Sequence, residues 1–477
     1  MDSIVEAVLK NAELKPDKIA MATAKKEITY KELKDKILSF AASLKLRGIK
    51  KGSRIAVEAV DLPSFFAACL GCHLAGMISV PIEREISIYK LQDILKATKP
   101  SLVFFKNTGE KYSDFFAAEY NGKVRFPKAD KPSSVVSTTG TTGNPVLVEH
   151  TNKSMVATIE NLVNGINIKE DTVIFSNVPF DLSAGYRRVL ATLYVGATAV
   201  ITYKPLSEEL LLKFFKEYGI NSISLLNINM SFISGIQNEE LKNYINSVRF
   251  VETVAGSISS LDIRNFRVAF PNVTLYNVYG TTESGCLLIN NTFENSADCC
   301  LGYPACNVTL KIIDENGEEV TTPEKYGYIC VKGDMNMAGY YRKKTLTEQV
   351  KKGDYIIIND IAYFDEQGCY YFVGRVGDII DVGGHKVVPY EIEKIAALYE
   401  GIDDCACAAE EDADLGKIPV LYIASNNKKF DVESLKEYLQ NNLEEYKIPK
   451  KILKIDKIPR TANGKIMRKL LPVAKRV

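Results

Sequence analysis

Between residues 54 and 105 the chain alternates short apolar runs with helix-patterned stretches, and this alternation limits its fold more than any other feature. RIAVEAV at 54–60 reads as a strand, the apolar stretch FFAACLGCHLAG has helical length and ends at Gly76, and MISVPI at 77–82 reads as a strand again. Strands separated by a helix pair in parallel, because only a long crossover returns the chain to the same end of a sheet. A helix carrying Leu91, Ile94 and Leu95 and the strand LVFF at 102–105 repeat the unit. Ahead of them, ITYKEL at 28–33 leads into an amphipathic helix with Leu33, Ile37, Phe40 and Leu44 on one face.

The alternation resumes downstream. Thr151 or Asn152 can cap a helix whose Met155, Val156, Ile159, Leu162 and Val163 recur at helical spacing. TVIFSNVPF at 172–180, a helix from Tyr186, ATAVI at 197–201 and the helix SEELLLKFFKEYG at 207–219 follow. The expected fold is therefore α/β, with two stacked βα-wound sheets in a large N-terminal domain. From 305 to 373 the texture changes to β-branched alternation punctuated by Asn316-Gly317 and Gln367-Gly368, which predicts a β-rich subdomain. Beyond Gly377 the patterning is independent, with a helix over 431–447 that Asp431 can cap and Pro449 follows. The expected division is thus 1–376 and 377–477, and a length of 477 residues agrees with more than one domain.

A formal net charge of +1 removes the electrostatic argument for nucleic acid or an anionic membrane surface. Glu58 and Asp61 interrupt the best early apolar run, so no membrane span is expected, and the N-terminal MDSIVEAVLK lacks the pattern of a secretory signal. Ten cysteines without framework spacing suit a reducing compartment, so the expected location is the cytoplasm. Cys69 and Cys72 form a CxxC inside an apolar helix; packing explains them better than zinc, which wants a second pair with the right spacing.

After the strand residues Val135 and Val136, the run Ser137, Thr138, Thr139, Gly140, Thr141, Thr142, Gly143 contains no bulky side chain. It can expose backbone N–H groups and hydroxyls where glycines permit unusual dihedrals, as wrapping phosphate oxygens requires. Read alone it is either a surface loop or a phosphate cradle. A Walker-type loop is excluded, since Asn144, Pro145 and Val146 follow Gly143 where Lys-Ser/Thr would be needed.

Three further stretches complete a pattern: NVYGTTESG at 277–285, Asp360 with GRVGD at 374–378, and PRTANGKIMR at 459–468. In this order and spacing the four resemble the adenylate-forming superfamily of acyl- and aryl-CoA synthetases, nonribosomal-peptide adenylation domains and luciferases. The likeness runs from about residue 28 to 470 and leans toward the acyl-CoA synthetases. It implies a distorted barrel for the β-rich part and a mobile α+β lid domain at the C-terminus. It also implies ATP, Mg²⁺ and a thiol, either coenzyme A or a phosphopantetheinyl carrier protein, and a small-molecule carboxylic acid as substrate.

By this resemblance Ser137, Thr138, Gly140, Thr141, Thr142 and Gly143 hold the β- and γ-phosphates, and Gly256, Ser257, Tyr279, Gly280 and Thr281 line the nucleotide. Tyr279 lies against adenine, Thr282 reaches a phosphate and Glu283 holds Mg²⁺, roles that suit an aromatic face, a hydroxyl and a hard oxygen ligand. Asp360 takes the ribose hydroxyls, an acceptor-only carboxylate for a diol, and Arg375 adds a ribose or phosphate contact. Lys465 is the implied catalytic lysine, Gly377 the hinge, and Gly383, Gly384 and His385 line the thiol tunnel. Without the family pattern, 277–285 reads as a turn after the strand TLYNVY, Asp360 as a turn aspartate and Lys465 as a solvated charge.

The sequence departs from the family at Val146, where a lysine commonly stands, and at Asn359 and Tyr328. The acyl pocket is expected near Phe180, Asp181, Tyr186, Asn229, Gly256 and Cys286. Asp181, within Phe180-Asp181-Leu182-Ser183, either pairs with a substrate ammonium group or caps the next helix. Arg187 and Arg188 either meet an acidic substrate or face water. The leading expectation is an ATP-dependent acid–CoA ligase; adenylation serving a carrier protein and a non-catalytic nucleotide-binding relative are the alternatives.

Overall fold

The computed structural model describes residues 1–105, 111–138, 146–180, 182–254, 258–412, 415–427, 430–460 and 466–472. Its contacts divide the chain into two compact units, 1–310 with 331–356 and 311–330 with 357–477.

The first unit is the wound α/β architecture that the alternation predicts. One sheet pairs Arg54–Glu58 in parallel with Ile78–Ile82 and Leu102–Phe104, and Ile78–Ile82 in parallel with Pro132–Ser137. Leu147–Thr151 then runs antiparallel to Pro132–Ser137, and Gly339–Tyr340 antiparallel to Leu147–Thr151. In the other sheet Thr274–Thr281, Phe250–Val254, Ser222–Leu226, Val173–Ser176, Thr198–Ile201 and Ile19–Ala22 lie parallel in that order. The antiparallel hairpin of Thr274–Thr281 with Gly285–Asn291 extends it by one more strand.

One apolar core joins the two sheets. It includes Ile55 and Val57 from one and Ile174, Ala199 and Val278 from the other, with Val8, Phe40, Phe66, Ile159 and Leu190 from five intervening helices. The helix Leu62–Ala75 is buried along its whole length, and the thiols of Cys69 and Cys72 are fully enclosed, as packing predicts. Thr151 caps Asn152–Gly165 through a reciprocal pair with Ser154.

In the second unit Ile380–Val382 and His385–Val387 form a hairpin, and Gly416–Ala424 pairs antiparallel with Asp404–Asp412 and parallel with Lys451–Lys454. Helices Pro389–Ala397 and Val432–Asn442 bury Ile392, Leu435 and Leu439 against this sheet. Asp431 caps the second helix, but it ends at Asn442 rather than 447, where a separate short turn Glu445–Lys447 follows. The β-rich stretch is confirmed as strands Thr309–Ile313, Gly327–Lys332, Tyr355–Phe364 and Tyr370–Arg375, neighbours in that order. Among the described residues they form an open run and no closed barrel.

Candidate functional site

The loop after Ser137 leaves the sheet through a narrow neck. Ser137 pairs with Leu147 in the antiparallel ladder, and Thr138 N donates to Val146 O at 2.9 Å. Of the phosphate-loop candidates, Ser137 and Thr138 lie at this neck; Gly140, Thr141, Thr142 and Gly143 lie outside the described residues, as do Gly256, Ser257, Asp181 and Lys465.

The strand Leu147–Thr151 that leads away from the neck meets the segment Tyr279–Glu283 through His150. Tyr279 is buried opposite Leu288 in the hairpin ladder, so the segment is the end of a strand before it becomes a turn. Gly280 is required there, since a Cβ would come 2.0 Å from Gly285 O. Thr281 Oγ1 accepts from Ser284 N at 3.1 Å and closes the turn.

Residues far along the chain hold this turn in place. Arg187, on the helix Ser183–Tyr194, donates from Nη1 to Thr281 O and from Nη2 to Thr282 O, both at 2.8 Å. His150, on Leu147–Thr151, has Nε2 2.9 Å from Thr282 O, a distance that requires the ring to donate, while Nδ1 meets Ser154 Oγ at 3.2 Å. Burial, and then the Arg187 guanidinium 3.1 Å from the ring, push His150 down to about 3, so it is neutral at physiological pH. Ser183 Oγ lies 3.3 Å from Thr282 Oγ1.

Glu283 completes the turn. Its backbone oxygen accepts from Met337 N at 2.7 Å, and its Oε1 accepts from the Tyr340 hydroxyl at 3.1 Å. Burial and the neighbouring carboxylate raise the Tyr340 phenol well above its ordinary range, which keeps it a donor. The Glu283 carboxylate is oriented but only partly covered. A single oriented carboxylate fits Mg²⁺, which takes one or two protein oxygens and completes its shell with phosphates and water.

The sequence missed His150 and Tyr340, and it missed the role of Arg187. Their partners lie 132, 57 and 94 residues away, respectively, so no local pattern announced them. Arg187 and Arg188 neither face water nor stand free for an acidic substrate. Both are buried: Arg187 holds the turn, and Arg188 grips the Glu252 carboxylate, which also accepts from Ser224 Oγ at 2.6 Å. A helix packed between two sheets has no water-facing side to offer them.

Among the acyl-pocket candidates, Phe180 is buried against Tyr203 and Tyr186 stacks on Phe66, so both belong to the packed core. Asn229 has a buried, unpartnered Oδ1 among the described residues, and burial raises the Cys286 thiol to about 12.

In the second unit the structure brings Asp360 and Arg375 together. They are cross-strand partners, with Nε 3.3 Å from Oδ1. Gly377 sits in the short turn Val376–Asp378, where a Cβ would meet nothing within 4 Å. Gly383 and Gly384, with φ of 57° and 90°, make the tight hairpin turn that needs two left-handed residues. His385 beside them stacks on Tyr446 with ring centroids 4.6 Å apart, and Lys386 pairs with Glu315.

A 2-succinylbenzoate–CoA ligase from Staphylococcus epidermidis is 26% identical over 95% of this chain and 94% of its own length. Bacitracin synthase 2 of Bacillus licheniformis is 25% identical over 97% of this chain, which spans only 18% of that protein. The fold matches that of the O-succinylbenzoate coenzyme A synthetase from Bacillus subtilis in complex with ATP and magnesium ion, with a TM-score of 0.87 at 21% identity across 98% of each chain. The family model described as AMP-binding enzyme matches residues 8–341, and that described as AMP-binding enzyme C-terminal domain matches 391–465. The chain belongs to the AMP-binding enzyme family.

Proposed function

We propose that the chain is an AMP-forming acid–thiol ligase. A carboxylate oxygen attacks the α-phosphorus of ATP and the bond to pyrophosphate breaks; a thiol then attacks the acyl carbon and AMP leaves. The observation that carries this reading is the turn Thr281–Glu283, braced by Arg187, by Tyr340 and by His150 of the strand that follows the Ser/Thr/Gly loop.

Two anions must meet in the first step, so fixed positive charge and oriented donors at the phosphates lower the barrier. In this reading the loop from Ser137 to Gly143 holds the terminal phosphates and Thr282 donates to one of them. Glu283 would hold Mg²⁺, which when bound neutralises phosphate charge. Tyr279 lies against adenine, with Gly256, Ser257, Gly280 and Thr281 around it, and Asp360 and Arg375 take the ribose. Lys465 neutralises charge developing on the carboxylate and α-phosphate, and Gly377 is the hinge between the two half-reactions. In that reading a lid domain begins at Gly377, and Gly383, Gly384 and His385 line the path of the thiol. The ten unbridged cysteines support a cytoplasmic setting. Among the described residues, no helix is long and apolar enough to cross a membrane.

Coenzyme A is the proposed acceptor, supported by likeness to a CoA ligase over nearly its whole length. A phosphopantetheinyl carrier protein is the second reading, favoured by the likeness to bacitracin synthase 2. Pyrophosphate release across a panel of carboxylic acids tests the first step, and adding coenzyme A or purified carrier protein identifies the acceptor. ATP binding without acid-dependent pyrophosphate release from any acid would leave only a non-catalytic nucleotide-binding protein.

A further inference from the structure

The arginines at the two ends of PRTANGKIMR are held by carboxylates rather than solvated. Arg460 grips Asp404, with Nε 3.1 Å from Oδ2 and Nη2 2.7 Å from Oδ1. Arg468 places Nη2 2.9 Å from Glu393 Oε1 and 3.1 Å from Oε2. Between these grips the chain is pinched, with Arg460 bridged antiparallel to Ile466 and Met467 N donating to Pro459 O at 2.8 Å.

Glu393 is a deep anchor. It is buried on the helix Pro389–Ala397, and its Oε1 also accepts at 2.7 Å from the N–H of Cys407 in the strand Asp404–Asp412. A carboxylate so enclosed needs a charged partner, and Arg468 supplies it. The guanidinium has a second edge. Its Nε stands 3.5 Å from Oδ2 of Asp378, which closes the short turn Val376–Asp378. One side chain thus joins a helix, the C-terminal segment and the turn that contains Gly377. A planar fork serves two carboxylates at once in fixed directions, which the point charge of an ammonium does not.

Asp378 directly follows Gly377, so whatever fixes Asp378 decides where a rotation at Gly377 is felt. Held to Arg468 and through it to Glu393, Asp378 moves with the helix and sheet that follow it. Released, it lets bending spread into the residues ahead of the strand Ile380–Val382.

We propose that Arg468 is a positioning residue of the two-step reaction: it locks Asp378 to the helix of Glu393, so that a turn at Gly377 swings the C-terminal body, and with it the segment of Lys465, as one piece. The proposal rests on the ligase reading and on the hinge given above.

Rapid-quench measurement of pyrophosphate release and thioester formation, with hydrogen exchange on the full chain, tests it. Asp378→Asn removes the hinge arm at a partly exposed carboxylate and leaves Glu393 its partner. It should slow thioester formation about fivefold or more and leave single-turnover pyrophosphate release within about twofold. Amides at 376–380 should exchange faster, while those of the strand Gly416–Ala424 stay protected. Arg468→Lys keeps the charge without the fork and should show the same split, with no added loss in the double variant. Lys469→Ala, the next cation along, should change neither step. Equal slowing of both steps, unchanged thioester formation, additive losses, or the same effect from Lys469→Ala would each overturn the assignment. Unchanged exchange at the turn in Asp378→Asn overturns the tie whatever the activity. A wild-type chain that releases no pyrophosphate with any acid overturns the ligase reading instead, and the role in the reaction with it.

Discussion

The Tyr340 hydroxyl donates to Glu283 Oε1 at 3.1 Å, so a residue on a two-residue edge strand fixes the carboxylate proposed to hold Mg²⁺. Tyr340→Phe keeps the ring packed near Val148 and Met337 and removes only the donor. Partners that orient a metal-ligating carboxylate typically change metal affinity by about tenfold or more when lost. The Mg²⁺ concentration for half-maximal pyrophosphate release should rise by about that factor, while folding stability falls by only ~1 kcal/mol. An unchanged Mg²⁺ requirement would show that Glu283 does not depend on this bond.

Arg187 is a buried cation satisfied by two carbonyls rather than by a carboxylate. Arg187→Met fills much of the volume but strips the Thr281 carbonyl of its side-chain donor and leaves Thr282 with His150 alone. Unsatisfied buried groups of this kind cost about 1–3 kcal/mol each. Urea denaturation should show a loss of roughly 2–4 kcal/mol. Arg187→Lys, with one donor group to share, should recover part of it. A loss within the ~0.5 kcal/mol of an ordinary surface substitution would mean that the turn holds itself.

The parts that the sequence made legible are those decided by local periodicity. Arg54–Glu58, Ile78–Ile82 and Thr198–Ile201 stand where their apolar runs predict, and Thr151 and Asp431 cap the helices they precede. The two Gly-bearing turns at Gly317 and Gly368 both carry positive φ. What stayed hidden was decided by pairing at long range. Arg188 looks like a solvent residue until Glu252, 64 residues on, is seen to meet it inside the core. Tyr340 gains meaning only from a ladder that sets Gly339 beside Glu149 and Tyr340 beside Val148, which no window of sequence contains. NVYGTTESG was legible as a motif, but the braces that hold it were not, since each lies on another element.

Stability should fall with pH in a window set by two buried histidines. Burial pushes His73 down to about 4, and burial with Arg187 pushes His150 to about 3, against roughly 6.5 in the unfolded chain. Both folded values are depressed, so the native state binds fewer protons than the unfolded state between them. The stability they permit is fully present above pH ~6.5 and is lost as pH falls toward 4, by about 1.4 kcal/mol per pH unit for each ring. Urea midpoints measured from pH 7 to 4.5 should fall steeply, and His73→Gln should flatten part of the slope. A flat profile over that window would mean that the rings take up protons without opening the fold.

Gly377 offers a direct test of the proposed hinge. A Cβ there meets nothing within 4 Å and its φ is not positive, so alanine fits the present conformation. Gly377→Ala should stay within ~0.5 kcal/mol of the parent in stability. Proline instead fixes φ near −65° and removes the freedom to turn. If the two half-reactions need two backbone states at this residue, Gly377→Pro should retain single-turnover pyrophosphate release and slow thioester formation by about tenfold or more. Rapid-quench measurement of both steps separates the outcomes. Equal slowing of the two would place the turning point elsewhere, and no slowing of either would remove Gly377 from the mechanism.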